Sequence, residues 1–246
     1  MTADQTAVLI RGPVGTKVQL GIRRGGQPID VTVERADFAS PMVVSLLLDS
    51  SILYLRVYQF GNDTQAQFDA QLKANLPAAT GVVLDLRDNP GGIVDAATAM
   101  ISRFVAEGEA YELRGRSGII ERRNVAGDHP AAQVPVVVLV NAGTASAAEI
   151  VSGSLQAHRR AQLLGTKTFG KGSVQVDFQL ADGSDLHLTI EHWFMPDGRQ
   201  VDKVGLQPDQ AVELAQKSDM FDVVQPALGH ANDSQLNRAL AILEGR

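Results

Sequence analysis

The sequence has no cysteine, a single tryptophan and an aromatic content of only 5% in 246 residues. Without a thiol the chain can form no disulfide and no thiolate metal site, although this absence does not select a compartment. No apolar run approaches the roughly 20 residues that span a membrane, and no charged-then-apolar leader follows Met1. The formal net charge of −6 and the pI near 5.3 argue against a nucleic-acid partner, because phosphate binding requires concentrated positive charge.

What the sequence does contain is a serine in a chemically suggestive position. Ser146 follows the apolar run 135–140 and precedes a helical pattern, which predicts a hydroxyl at a strand-to-helix turn. The start of a helix offers unpaired backbone N–H groups and a positive dipole end, and both stabilise negative charge on a reacting carbonyl oxygen. We therefore take Ser146 as a candidate nucleophile, although a serine at a helix start is most often a simple N-cap.

Two other residues, later in the sequence, could assist Ser146 in catalysis. Lys171 is flanked by glycines that allow its backbone to approach closely, and it is the candidate base for Ser146. A lysine acts as a base only when its surroundings favour the uncharged form, as burial does. Gln175 stands at the start of a strand pattern, where its amide oxygen could accept from the lysine nitrogen. The three residues predict a peptide-bond hydrolase that uses no histidine.

The histidines are weaker candidates. His158 falls on the inward face of the predicted helix and is expected to be a hydrogen-bonded core residue. His187 and His192 are five positions apart on one predicted strand, so they point to opposite faces and do not share a zinc ion.

Acidic residues also have simpler explanations than a metal site. A magnesium cluster of Asp85, Asp88 and Asp95 can be imagined, but Asp85 is expected to pair with Arg87. Asp95 suits the first turn of a helix, as does Glu149, because a carboxylate there is stabilised by the helix dipole.

Five segments, in order along nearly the whole chain, resemble the carboxyl-terminal processing proteases, also called tail-specific proteases. These segments are residues 81–92, 138–160, 165–175, 193–199 and 205–209. The first resembles the family's strand and glycine turn. The second contains Ser146, the third contains Lys171, and the last two resemble the family's closing hairpin and the segment that leaves it.

The resemblance implies roles for six residues. The side chains are the nucleophile Ser146, the general base Lys171 and the orienting glutamine Gln175. The oxyanion hole would consist of the backbone N–H groups of Ala147 and Gly92, with Gly91 as the alternative to Gly92. Many members carry a second serine where this chain has Ala148, and an aspartate where it has Ala157. Neither departure touches the implied site, and no metal or organic cofactor is expected.

The expected fold class is α/β, or α+β, built on repeated strand-turn-helix units. The strands, turns and helices of the two copies are 82–86, 89–92 and 96–105, then 136–140, 141–145 and 146–158. Near-continuous apolar strands predict a sheet covered on at least one face. By the resemblance, the core is similar to the crotonase and Clp protease folds. A hairpin at 174–180 and 186–193 and a final apolar-faced helix are also predicted.

The N-terminal segment is predicted to form a smaller unit. Residues 2–5 form a capping-box pattern that opens a short helix, and strand-like runs follow at 17–22 and 29–33. This segment resembles the last half of a PDZ domain, the module that receives a substrate's carboxyl terminus in the family. The expected division is therefore residues 1–38 as a partial PDZ-like segment, with its leading strands preceding Met1, and 39–246 as the protease domain with a C-terminal helical cap. A simple accessory hairpin is the alternative.

The resulting hypothesis is a serine endopeptidase that cleaves polypeptides near their carboxyl termini. By resemblance it would act in the cell envelope, the periplasm or the medium, with its leader on a part of the natural protein outside this sequence. One alternative is a catalytically silent, PDZ-linked peptide-binding or scaffolding protein. Another is an acyl-CoA enzyme of the crotonase type, which also uses paired backbone donors but would leave Lys171 and Gln175 unexplained.

Overall fold

The structure is a computed structural model that describes residue 6 and residues 9–36, 41–180 and 182–245. The chain divides into two compact units, Met1–Ser40 and Pro41–Arg246. The capping box predicted at residues 2–5 lies outside the described residues. In the described ranges, no helix is long and apolar enough to cross a lipid bilayer.

The first unit contains an antiparallel hairpin. Strand β1, Lys17–Arg24, pairs along its whole length with strand β2, Gln27–Glu34. Gly25 and Gly26 join them with φ of +59° and +81°, the left-handed conformation that a two-residue hairpin turn requires. The strands predicted at 17–22 and 29–33 are confirmed, and each is slightly longer than predicted.

The second unit contains ten strands and four α-helices within the described residues. The strands are β3 Val43–Leu47, β4 Ile52–Val57, β5 Gly81–Asp85, β6 Glu109–Gly115, β7 Gly118–Asn124, β8 Val136–Val140, β9 Gln162–Gly165, β10 Ser173–Gln179, β11 Asp185–Phe194 and β12 Gln210–Ala211. The helices are α1 Thr64–Asn75, α2 Val94–Phe104, α3 Ala147–Ala157 and α4 Ser234–Leu243. Both predicted strand-turn-helix units are present.

Six of these strands form the central sheet, in the spatial order β12-β9-β8-β5-β4-β3. β3 is antiparallel to β4, and every other neighbouring pair is parallel. Side chains alternate between the two faces of a strand. Leu84 and Val138 therefore join the core beneath α1, α2 and α3, whereas Val83 and Leu139 join the core beneath α4. The predicted covering of the sheet is confirmed, and it extends to both faces.

A second, four-stranded antiparallel sheet has the order β10-β11-β6-β7. β11 joins β6 through three residue pairs at its carboxyl end, so most of β11 contacts only β10. The hairpin predicted at 174–180 and 186–193 is confirmed as β10 and β11. The hairpin β6–β7 was not predicted from the sequence.

The sheet topology explains how distant parts of the sequence come together. β9, β8 and β5 are parallel neighbours, so the segments that follow them emerge at the same edge of the sheet. The segment after β5 contains Gly91 and Gly92, the segment after β8 leads to Ser146, and the segment after β9 leads to Lys171.

A fully buried ionic cluster stands behind this edge. The Arg87 side chain, with no solvent exposure, donates to both Asp85 and Asp233, at 2.5 Å and 2.9 Å. Asp233 is also the N-cap of α4 and accepts from the backbone N–H of Leu236. Burial opposes ionisation of Asp85, but Arg56 and Arg87 prevail and hold its pKa well below the usual range. The predicted Asp85–Arg87 pair is confirmed, and it couples the end of β5 to the C-terminal helix.

We predict that Arg87→Met lowers the free energy of unfolding by about 3–5 kcal/mol, because it leaves the buried Asp233 without a counter-charge and removes one of the two arginines that pair with Asp85. Denaturant titration measures this, with Arg199→Met as the control, since the exposed Arg199–Asp197 pair is worth under about 1 kcal/mol. The contribution of Asp85 is present above the unfolded-state pKa of about 3.9 and is lost as the pH falls below it. A loss equal to that of the control would contradict the structural importance of the cluster.

Candidate active site

Ser146 occupies a strained turn between β8 and α3. It is the N-cap residue of α3, with φ of 55° and ψ of −123°. A residue with a Cβ rarely adopts a positive φ, and such conformations cost on the order of 1–3 kcal/mol and cluster at functional sites. The prediction of a serine at a strand-to-helix turn is confirmed, and its side chain is partly accessible to solvent.

The glycine turn after β5 lies directly against this serine. A Cβ placed on Gly91 would be 2.7 Å from the Ser146 Cβ and 2.8 Å from the Ala147 nitrogen. A Cβ on Gly92 would be 2.1 Å from the carbonyl oxygen of Phe60, and Gly92 has φ of +136°. Because a side chain at either position would collide with its surroundings, the close approach of the two turns depends on glycine.

Backbone donors in these turns distinguish between the two glycines. The Gly91 N–H donates to Asn89 Oδ1 at 2.8 Å, and Gly91 is buried. Within the described residues, the N–H groups of Gly92 and Ala147 donate no hydrogen bond. Gly92 is also exposed to solvent. The pair of unused donors is therefore Ala147 and Gly92, whereas the N–H of Gly91 is already occupied.

Side chains fasten the two turns to each other. The Asp88 N–H donates to Asn141 Oδ1 at 2.8 Å, and the Asn141 amide donates back to Asp88 Oδ1 at 3.1 Å. The Ala145 N–H donates to the carbonyl of Asn89 at 2.9 Å. Asp88 also pairs with Lys217 at 2.8 Å. Burial opposes ionisation of Asp88, but Lys217 and Asn141 lower its pKa. The donors next to Ser146 are thus held in a fixed arrangement.

Glu149 connects the serine turn to the lysine segment. Its carboxylate, in a residue that is 1% exposed, lies in the first turn of α3. Oε2 accepts from the N–H groups of Ser146 and Lys171, at 3.0 Å and 2.8 Å. Oε1 accepts from the N–H of Gly170 and the hydroxyl of Thr168, at 2.8 Å and 2.5 Å. The buried carboxylate of Glu149 therefore holds the backbone of Ser146 and the backbone of Lys171.

The backbone around Lys171 is tightly packed, as its flanking glycines predict. The carbonyl of Gly170 accepts from the Lys203 N–H at 2.8 Å, and the carbonyl of Gly172 accepts from the Trp193 N–H at 2.8 Å. A Cβ on Gly172 would lie 2.2 Å from the backbone nitrogen of Asp202.

The three predicted side chains are nevertheless not joined by hydrogen bonds. Within the described part of the chain, the side-chain nitrogen of Lys171 and the side-chain amide of Gln175 make no hydrogen bond, and the Ser146 side chain is placed against the backbone N–H of Glu149 in the capping box of α3. Lys171 and Gln175 are both exposed, and Gln175 lies in β10 opposite Thr189. The structure thus assembles the serine, the donors and the lysine backbone, but it leaves the lysine side chain open to solvent.

Comparison with known proteins identifies the family of this chain. The profile of peptidase family S41 matches residues 51–212. The chain belongs to peptidase family S41. It is 37% identical over 232 residues to a carboxy-terminal-processing protease of Bartonella bacilliformis, covering 90% of this chain and 53% of that protein. It is 35% identical over 252 residues to the carboxyl-terminal-processing protease of Synechocystis, and this match covers 100% of this chain and 57% of that protein.

Solved structures give the same result for this S41 chain. The photosystem II D1 C-terminal processing protease superposes with a TM-score of 0.68 at 26% identity, covering 87% of this chain and 60% of that one. A tricorn protease has a TM-score of 0.50 at 16% identity, which shows likeness of fold alone. The resemblance to carboxyl-terminal processing proteases and the expected fold class are confirmed. The chain spans little more than half the length of the two curated relatives that it matches.

Sequence analysis missed several residues of this S41 site. Glu149 was interpreted as an ordinary first-turn acid, whereas it also holds the segment that carries Lys171. Asn89 and Asn141 were treated only as turn residues, although their side chains hold the glycine turn. An acid three residues after a helix-capping serine is a recognisable signal, but its second partner, more than 20 residues away in sequence, leaves no local pattern.

We predict that Glu149→Gln lowers the free energy of unfolding by about 1–3 kcal/mol, because an amide NH₂ would face backbone N–H donors that then lose their acceptor. Thermal unfolding and amide hydrogen exchange measure this, and the Gly170 and Lys171 amides should exchange faster. The control is Glu107→Gln, since Glu107 is exposed. Unchanged exchange at Gly170 and Lys171 would contradict the role of Glu149 in fixing this segment.

Proposed function

We propose that this chain is the catalytic part of a serine endopeptidase that cleaves polypeptides near their carboxyl termini. The observation that carries the proposal is the strained Ser146 turn beside two unused backbone donors, Ala147 and Gly92. Donors at a helix N-terminus suit a carbonyl oxygen that becomes negatively charged. Membership of peptidase family S41 and the names of the related proteases support the same function.

In the proposed mechanism, Ser146 attacks the carbonyl carbon of the scissile peptide bond. The uncharged amine of Lys171 takes the hydroxyl proton as the Oγ–C bond forms, and the carbonyl oxygen becomes an oxyanion bound by the N–H groups of Ala147 and Gly92. The carbonyl oxygen of the Gln175 side chain accepts a hydrogen bond from the lysine nitrogen and directs it toward Ser146.

The second half of the cycle returns the proton. The tetrahedral intermediate collapses by breaking the C–N bond, and the ammonium of Lys171 donates its proton to the departing amine. A water molecule then attacks the acyl-enzyme ester while Lys171 accepts its proton. Breaking the ester bond releases the carboxylate product, and the Ser146 oxygen regains a proton from Lys171.

Substrate binding is the step that completes this site in our proposal. Lys171 is exposed and lacks a hydrogen bond to Ser146 in the described structure, whereas a lysine base must be shielded from water. Catalytic hydrogen bonds often form only once substrate is bound. A polypeptide lying over Ser146 would exclude water from the lysine and favour its uncharged form.

Three further features belong to the proposal by similarity to the related proteases. The hairpin β1–β2 is interpreted as part of a PDZ-like module, and recognition of substrate tails is assigned to that module. Val14 and Val33 of this unit are exposed, at 66% and 42%, which suits a surface that binds another segment. Action outside the cytoplasm is the third feature.

We predict that Ser146→Ala and Lys171→Ala each lower kcat/KM about a thousandfold or more, since nucleophile and base act as a unit. Gln175→Ala should lower kcat about 10- to 100-fold, because it misorients the base. The assay follows, by mass spectrometry across pH, cleavage of an unfolded protein with an apolar carboxyl-terminal tail.

The matched control is Lys167→Ala, because Lys167 is an exposed lysine in the same segment. Its cleavage rate should equal that of the unchanged protein. Cleavage that survives in Ser146→Ala would refute the proposed nucleophile. Binding of the substrate by the unchanged protein without any cleavage would instead favour the silent peptide-binding protein.

A further inference from the structure

The strand that carries Gln175 has one unpaired side. β10 is the terminal strand of the four-stranded sheet, and β11 is its only partner within the described residues. In an antiparallel edge strand, alternate N–H and C=O groups point away from the sheet and remain available for pairing with another chain. β10 begins two residues after Lys171, so its free side leads directly to the proposed catalytic site.

The side chains of this hairpin are sorted by face. The register pairs Val176 with Leu188 and Phe178 with Leu186, which places these apolar side chains on one face. Asp177 and the residues alternating with it occupy the opposite face. Phe178, Leu186 and Leu188 are 47%, 43% and 41% exposed. Clustered exposed apolar side chains beside a free strand edge suit a surface that binds another segment.

We propose that the free edge of β10 binds the polypeptide substrate as an added antiparallel or parallel strand. The inference rests on the proposed protease function, and it defines the substrate class as extended, unfolded chain with apolar side chains at alternate positions. In strand addition, main-chain hydrogen bonds supply affinity and alternate side chains supply selectivity. One set of substrate side chains lies beside Val176 and Phe178, and the other set lies on the face of Gln175.

Continuity with the site is the reason to assign this edge to the substrate. A strand paired along β10 runs from Gln179 to Ser173 and then reaches the segment of Lys171. Main-chain pairing does not depend on side-chain identity, which suits an enzyme that acts on polypeptides. It would also position the substrate against the strand that carries Gln175.

The test uses the full chain with Ser146→Ala, so that binding is measured without cleavage. The probe is a fluorescent apolar peptide as long as β10, amidated at its carboxyl terminus so that carboxylate recognition is removed. A series of these peptides carries one backbone N-methyl group at each position in turn. Fluorescence anisotropy then reports each dissociation constant.

Strand addition predicts a two-residue period in this series. N-methylation should weaken binding about 3- to 10-fold at alternate positions and have little effect between them. In the same background, Phe178→Gln should weaken binding about 5- to 10-fold by removing apolar contact area. The control, Val224→Gln, replaces an exposed apolar side chain outside the β10–β11 hairpin and should have less than about a twofold effect.

Three results would overturn the proposal. In the first, N-methylation has no effect on the dissociation constant, or the same effect at every position. In the second, Phe178→Gln binds the peptide as tightly as its control variant. In the third, the protein without peptide forms a dimer, and Phe178→Gln abolishes that dimer. The N-methyl series changes only the peptide, so misfolding of Phe178→Gln would not affect the result of that series. A periodic binding pattern, together with no cleavage of the tailed protein by the unchanged chain, would refute the proposed protease while retaining the strand-binding edge.

Discussion

The carboxylate of Glu149 is the interaction on which the candidate site depends. It is almost fully buried and accepts four hydrogen bonds, from Ser146, Thr168, Gly170 and Lys171. A buried carboxylate is tolerated only when such donors replace its lost hydration. Because these donors come from the serine turn and from the lysine segment, the carboxylate holds the two segments at a fixed separation. The backbone of Lys171 is thereby hydrogen-bonded to Glu149, whereas its side chain is exposed to solvent.

The rest of the second unit supports this arrangement through its topology. Parallel neighbours β5, β8 and β9 deliver three segments to one edge of the central sheet. Behind them, Arg87 joins the end of β5 to Asp233 at the start of α4. The helix beyond Asp233 packs against the face of the sheet opposite α1, α2 and α3. The C-terminal helix thus stabilises the strand that carries the glycine turn, although it contributes no chemistry of its own.

Periodicity in the sequence predicted the elements whose apolar pattern is regular. The repeated strand-turn-helix units, the β10–β11 hairpin and the final helix are all present. Strands β6 and β7 were missed because their charged residues interrupt the apolar alternation. Glu112 pairs with Arg114 and Arg122 within that hairpin, and such pairing is invisible until the register is known. The two-residue strand β12 is too short to produce a pattern.

The candidate site shows the same limit. Ser146 and the glycine turns were found because local spacing reports local structure. Gly92 and Gly91 were left as alternatives from sequence; in the structure the Gly91 N–H donates to Asn89, whereas the Gly92 N–H donates no hydrogen bond within the described residues. Contacts between residues distant in sequence, such as Glu149 with Lys171, depend on the folded topology. The exposure of the Lys171 side chain was likewise not predicted, because the flanking glycines indicate how closely the backbone packs and not where the side chain lies.

The most direct test of the account is the reaction of the chain with a serine-directed fluorophosphonate, followed by mass spectrometric location of the adduct. If Ser146 is a nucleophile that uses Lys171 as its base, the label falls on Ser146 and Lys171→Ala prevents the reaction. A chain that is not labelled at Ser146, or whose labelling at Ser146 is unchanged by Lys171→Ala, would contradict the account.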